Sequence, residues 1–156
     1  MIKEYIKGSI LDAPQKYIAH GVNCQNVMGS GVARVLFKEY PQVKVNYHRD
    51  CSYRESKNCT KQKYLGHWHV GYAESPNGKM IFNLFTQEYY GYDNKKYVSY
   101  DALYDVFRSL KKQNWINEIA IPKIGCGLAG GNWDIVSRII DDATGDDLDV
   151  YVYYLE

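Results

Sequence analysis

Apolar and polar positions along the chain follow two periods, and the switches between them predict the order of the elements. IKEYIKG at the start and KYIAHGVN over residues 16 to 23 read as short strands, rich in β-branched and aromatic residues. SGVARVLFKEYP reads as a helix from Ser30, with Val32, Val35 and Leu36 on one face and Pro41 stopping or kinking it. A weaker helical pattern runs from about Gln42 to Ser52. KYLGHWHVGYA and KMIFNLFTQ flank the turn Ser75, Pro76, Asn77, Gly78 and predict a β-hairpin. SYDALYDVFRSLKKQ puts Ala102, Leu103, Val106, Phe107 and Leu110 on one helical face, with Ser99 as N-cap and Asp101 in the first turn. EIAIPKIG predicts a buried strand, NWDIVSRIIDD a helix and DVYVYYL a last strand. This order predicts an α/β fold, a mixed sheet with helices on both faces. No repeat, low-complexity tract or linker interrupts it, so a single domain over residues 1–156 is expected.

Composition adds exclusions. With 46% hydrophobic and 24% charged residues the chain is an ordinary globular one, neither disordered nor fibrous. A formal charge of +1 supplies no overall field for a polyanion, so bulk nucleic-acid binding is not expected. The charge is nevertheless uneven. Lys44, Arg49, Arg54, Lys57, Lys61 and Lys63 outweigh Asp50 and Glu55, while the aspartates from Asp134 to Asp149 outweigh Arg138, which reads as opposite solvated faces. No apolar run approaches the roughly 20 residues that span a bilayer, so no membrane partner is expected. Cys24, Cys51, Cys59 and Cys126 read as reduced thiols of a cytoplasmic protein. The 16 tyrosines are unusual; a pocket for a flat group and a bias of composition account for them equally well.

Candidate chemistry gathers in two glycine-rich loops, each between a strand and a helix. In HGVNCQNVMGSGVAR, residues 20 to 34, Gly29 and Gly31 allow close approach of a ligand to the backbone, and the helix that follows aims free N–H groups at the loop. The loop reads either as an anion site or as a plain turn needing positive φ. In IPKIGCGLAGGNW, Gly125, Gly127 and Gly130 satisfy G-x-G-x-x-G. A Rossmann site is set aside, because only one helix and one strand follow and Asp149 precedes the last strand. The physics remains: loop amides at a helix N-terminus cradle a diphosphate. No Lys-Ser or Lys-Thr pair follows either loop, so a Walker-type phosphate loop is absent.

The succession KGSI, a strand reaching His20, MGSGVA, NLFTQEYYG, SYDAL and IPKIGCGLAGGNW resembles the macrodomain family over essentially the whole chain. It is most similar to the small branch with yeast-type ADP-ribose 1''-phosphate phosphatase and terminal ADP-ribose protein glycohydrolase, with related sequences in bacteriophages. The resemblance implies a three-layer α/β/α fold with a mixed central sheet and an ADP-ribose cleft at the C-terminal ends of its strands. It assigns Gly29, Ser30 and Gly31 to the distal ribose and phosphate and Ile124, Gly125, Cys126, Gly127 and Leu128 to the diphosphate, with Val32 and Ala129 as further ligand-binding residues beside the two loops. Asn23 falls near the distal ribose, Met28 at the loop wall, and Tyr154 or Leu155 near the adenine.

Departures from the family pattern sharpen the expectation. A common Gly-Asp-Ile triplet, whose aspartate accepts from the adenine, here reads Gly8, Ser9, Ile10; weaker adenine selection, or substitution by Asp12, follows. The glycohydrolase relative has a lysine where Gln87 stands and an aspartate where Ala129 stands, so no lysine adduct is expected. Gln87, with Glu88, Tyr89 and Tyr90, either covers the distal ribose or forms an exposed strand end. His20 is a candidate general acid or base near neutral pKa, against the plainer reading of a packed strand-end histidine. His48, His67 and His69 lack zinc spacing, and Cys126 lacks a basic neighbour to activate it. The expected function is hydrolysis of ADP-ribose 1''-phosphate to ADP-ribose and phosphate, with His20 or Asn23 orienting or activating water and no metal or cofactor. A non-catalytic reader of ADP-ribose, or a hydrolase of O-acetyl-ADP-ribose or ADP-ribosyl-protein, is the alternative.

Overall fold

The strand patterns become β1 (Ile2–Lys7), β2 (Tyr17–Asn23), β3 (Trp68–Tyr72), β4 (Met80–Gln87), β5 (Glu118–Ile121) and β6 (Asp149–Tyr154). The computed structural model describes residues 1–93 and 95–155, the Gln62 side chain excepted. Among the described residues these strands form one sheet in the order β1-β6-β5-β2-β4-β3. β1, β6, β5, β2 and β4 run parallel, and β3 joins antiparallel through the hairpin. Five parallel strands therefore deliver their C-terminal ends to one edge, where open α/β sheets bind ligands.

The alternation of side chains builds two cores. Ala19, Phe82, Leu84, Ile119, Ile121, Val150 and Val152 face α3 (Tyr100–Lys111) and α4 (Trp133–Thr144). Ile18, Val22, Ile81, Phe85, Ala120 and Tyr153 face α1 (Gly31–Glu39) and α2 (Pro41–Ser56). The result is the expected α/β/α sandwich with a mixed sheet. The N-cap expected at α3 forms, Ser99 accepting from the Ala102 amide, and Asp101 lies in the first turn.

Several boundaries move, each for a local reason. β5 stops at Ile121 and releases residues 122 to 131 as a loop, because Pro122 has no N–H for the ladder. Pro41 does not end a helix; it opens α2 at its first position, which tolerates proline. α2 reaches Ser56, beyond the expected end, held by the buried stripe Val43, Tyr47, Cys51. That stripe is only one residue wide, which is why its periodicity is faint. β3 starts five residues later than Lys63, since residues Lys61–Tyr64 form a 3-10 turn. The basic stretch lies on and after α2 and most of the acidic stretch on and after α4, helices that cover opposite faces of the sheet. All four cysteines are free. Among the described residues, no helix is long and apolar enough to cross a membrane.

Candidate functional site

At the C-terminal edge of the parallel strands lies a cavity of about 480 Å³, within the range of nucleotide-sized ligand sites. All five parallel strands reach it: Ser9 after β1, His20 and Asn23 on β2, Thr86 and Gln87 on β4, the loop after β5, and Tyr153 and Tyr154 on β6. Its chemistry is mostly backbone. Ser30 makes no side-chain cap on α1, so the first-turn amides of that helix lack the usual acceptor where they meet the cavity. Across from them, the amides of Gly125, Gly127, Leu128 and Ala129 have no acceptor among the described residues. Lys123, stacked 5.1 Å from the Tyr154 ring centroid, is the one charged side chain that lines the cavity among the described residues. Two sets of free N–H groups and one ammonium, with no carboxylate among the described lining residues, make an anion site.

The second loop is folded tightly on itself. Gly131 donates to the Gly125 carbonyl at 2.6 Å, and Gly125 has φ +79 with no room for a Cβ, which would meet Val98 at 2.6 Å. Gly127 differs: its φ is not positive, and a Cβ there meets nothing within 4 Å. Folding therefore does not require glycine at that position.

Side chains assigned to chemistry are engaged more deeply than the sequence suggests. His20 is fully buried and its Nε2 contacts Asn83 Oδ1 at 2.5 Å. Burial drives its pKa down to about 4, opposed by the Asn83 bond. The expectation of a titration near neutrality is thus corrected: taking the imidazolium out of water costs more than one amide bond returns. Asn23 Oδ1 accepts from the Gln25 amide at 2.9 Å, and its Nδ2 donates to the Val27 carbonyl at 2.8 Å, so the side chain braces the first loop. The Tyr47 hydroxyl donates to the Asn23 carbonyl at 2.8 Å from below. Cys126 donates to the Ile124 carbonyl at 3.5 Å, and burial pushes its thiol up to about 11, which leaves no thiolate nucleophile.

A sequence profile described as "Macro domain" matches residues 19–140. The chain belongs to the macrodomain family. An uncharacterized 17.5 kDa protein of Enterobacteria phage T4 is 38% identical over 148 residues, covering 90% of this macrodomain and 89% of the phage protein. A DNA ADP-ribosyl glycohydrolase of Mycobacterium tuberculosis is 27% identical across 96% of the chain, which spans 41% of that relative's length. An ADP-ribose 1''-phosphate phosphatase of Scheffersomyces stipitis is 28% identical, covering 87% of the chain and 91% of the phosphatase. Among solved structures, the macrodomain of Mycobacterium tuberculosis DarG superposes with a TM-score of 0.76 at 27% identity, over 98% of this chain and 97% of that one.

Within this macrodomain the cavity gathers Ser9, Ile10, His20, Asn23, Met28, Ser30, Gly31, Val32, Gln87 and Ile124 through Ala129. Gly29 is the exception; it is exposed and stands outside the cavity wall. Asp12, offered as a stand-in for the missing adenine aspartate, is also exposed and does not reach the cavity. The Ser9 hydroxyl accepts from the Leu11 amide at 3.2 Å and caps its own turn. The Gln87 amide donates to the Tyr89 carbonyl at 2.8 Å. Of the segment that follows, Tyr90 and Tyr92 line the cavity and Tyr89 does not. Tyr92 reaches across its mouth to Ser30 Oγ at 3.5 Å. Sequence reasoning passed over Thr86, Lys123, Tyr92 and Tyr153. Thr86 was discoverable as a small polar residue within a hydrophobic strand; its Oγ1 is buried and has no partner among the described residues.

Proposed function

We propose that this macrodomain binds ADP-ribose or a close derivative in the cavity and hydrolyses the substituent at the 1'' position, ADP-ribose 1''-phosphate being the substrate of choice. The observation that carries the reading is the facing pair of unpaired amide sets, at the start of α1 and at residues 125 to 129, across a cavity of about 480 Å³. A diphosphate carries the anionic oxygens to which such backbone amides donate. The loop of Ile124 through Ala129 holds the diphosphate, and Ser30, Gly31 and Val32 hold the distal ribose with its phosphate. Ser9, Ile10 and Tyr154 flank the adenine. The phosphatase relative, similar along most of its length, supports this reading.

Catalysis in this scheme is positioning and charge stabilisation. The free amides stabilise negative charge as it builds on the departing phosphate, and neutral His20 orients the attacking water while Asn23 holds the loop. His20 donates no proton here, and no carboxylate among the described residues lines the cavity to replace it. That lack of an ionisable base favours the second reading, an ADP-ribose binding module without turnover. Phosphate release from ADP-ribose 1''-phosphate separates them. Turnover by the wild type that drops at least tenfold in folded His20→Ala supports the enzyme; tight binding with no phosphate released supports the module. O-acetyl-ADP-ribose, ADP-ribosylated protein and ADP-ribosylated DNA, run in parallel, assign the leaving group.

A further inference from the structure

Lys123 is half-buried and stands in the cavity wall after β5, directly before the loop of residues 124 to 129. Its side chain crosses to the neighbouring strand, where Nζ lies 5.1 Å from the ring centroid of Tyr154, itself a half-buried residue of the cavity wall. Register explains the meeting: Ile121 of β5 pairs with Val152 of β6, so two residues further on Lys123 comes level with Tyr154. The charge is felt along the wall as well, since burial raises the pKa of the Cys126 thiol and the Lys123 ammonium opposes that rise. Among the described residues no carboxylate forms an ion pair with Lys123, and none lines the cavity. Beside Tyr154, whose carbonyl accepts from the Gly8 amide at 2.8 Å, Ser9 brings a hydroxyl and no charge.

Strand order sets the order of chemistry along this edge. From β1 to β2 it runs Ser9, Tyr154, Lys123, the loop after β5 and the start of α1. An ADP-ribose laid along it, with adenine by Ser9 and Tyr154 and diphosphate on the loop, places its adenosine ribose at the step from β6 to β5, beside Lys123. In that pose the diphosphate meets the free amides of residues 125 to 129, while adenine and ribose carry no charge. Plain ADP-ribose therefore leaves the ammonium at this step without a counter-charge. A phosphate monoester on the ribose supplies one, since its second pKa of about 6 makes it close to a dianion at neutral pH. Lysine binds phosphate as a point charge, and stacking on Tyr154 holds its ammonium at the wall.

We infer that the cavity prefers an ADP-ribose whose adenosine ribose carries a further phosphate at its 2' or 3' hydroxyl, with Lys123 as the residue that selects it. The inference rests on the ADP-ribose reading of the cavity and narrows its ligand class. It concerns the adenosine end alone and leaves the chemistry at the 1'' position as proposed above.

Calorimetry with ADP-ribose, ADP-ribose 2'-phosphate and the 3'-phosphate isomer tests this on wild type, Lys123→Gln and Lys123→Arg. One isomer should bind wild type about tenfold tighter than ADP-ribose, and which isomer does so names the hydroxyl. That ratio should collapse in Lys123→Gln, persist in Lys123→Arg, and shrink between pH 7 and pH 5 as the monoester loses its second charge. The ratio is not moved by a general loss of affinity, nor by any share Lys123 takes in holding the diphosphate. Binding of ADP-ribose with neither isomer tighter overturns the inference and leaves the functional reading standing. So does a preference that survives Lys123→Gln. If neither ADP-ribose nor its phosphorylated isomers bind, the functional reading falls and takes the phosphate site with it. Should Lys123→Gln fail to fold, the wild-type ratio, its pH dependence and Lys123→Arg decide alone.

Discussion

Protonating His20 means placing a charge inside a sheet face that α1 and α2 have already closed. Its folded pKa of about 4 lies below the ordinary value of 6.5, so at pH between these values the unfolded chain binds a proton that the folded chain does not. Stability from this residue is therefore complete above 6.5 and is lost as pH falls toward 4, an effect of about 3 kcal/mol. Denaturant unfolding at pH 7 and pH 4 should show wild type losing about that much more stability than His20→Gln; parallel losses in the two proteins contradict the burial argument. The same property removes His20 as a source of neutral-pH titration in any activity profile. Nothing local in the sequence announces this. HGVN shows a histidine at a strand end, but its partner Asn83 is 63 residues away and is brought beside it only by the β2–β4 register.

The two glycine loops were visible in the sequence because they combine a strand, a short glycine-rich stretch and a helix start, and each part has a local signature. Their internal division of labour was not visible. Gly125 and Gly131 serve the loop's own fold, while Gly127 faces open space that the fold does not fill. Gly127→Val should accordingly leave thermal stability close to wild type, yet weaken ADP-ribose by tenfold or more, which is about 1.4 kcal/mol. A large loss of stability in that variant, or unchanged binding, contradicts the assignment. Strand ends were the least legible features, since β5 ends at a proline that also sits inside an apolar run. The α1 face was half right: Leu36 is in the core, but Val35 is 41% exposed and lines the cavity instead.

At the scale of the molecule, the order of strands decides where chemistry is possible. Bringing β5 between β6 and β2 places the loop after β5 opposite the start of α1, and the anion site exists only because those two segments, about a hundred residues apart in sequence, face each other. The count and order of elements and the three-layer arrangement followed from periodicity and turn chemistry; the family resemblance supplied the position of the cleft. What no pattern supplied was the buried His20–Asn83 pair, which depends on the register of β2 against β4. The account stands or falls on the ligand. Isothermal titration of ADP-ribose into the purified chain, with AMP and NAD as controls, should give selective micromolar binding, about −8 kcal/mol. No binding of ADP-ribose, or binding no tighter than AMP, would contradict it.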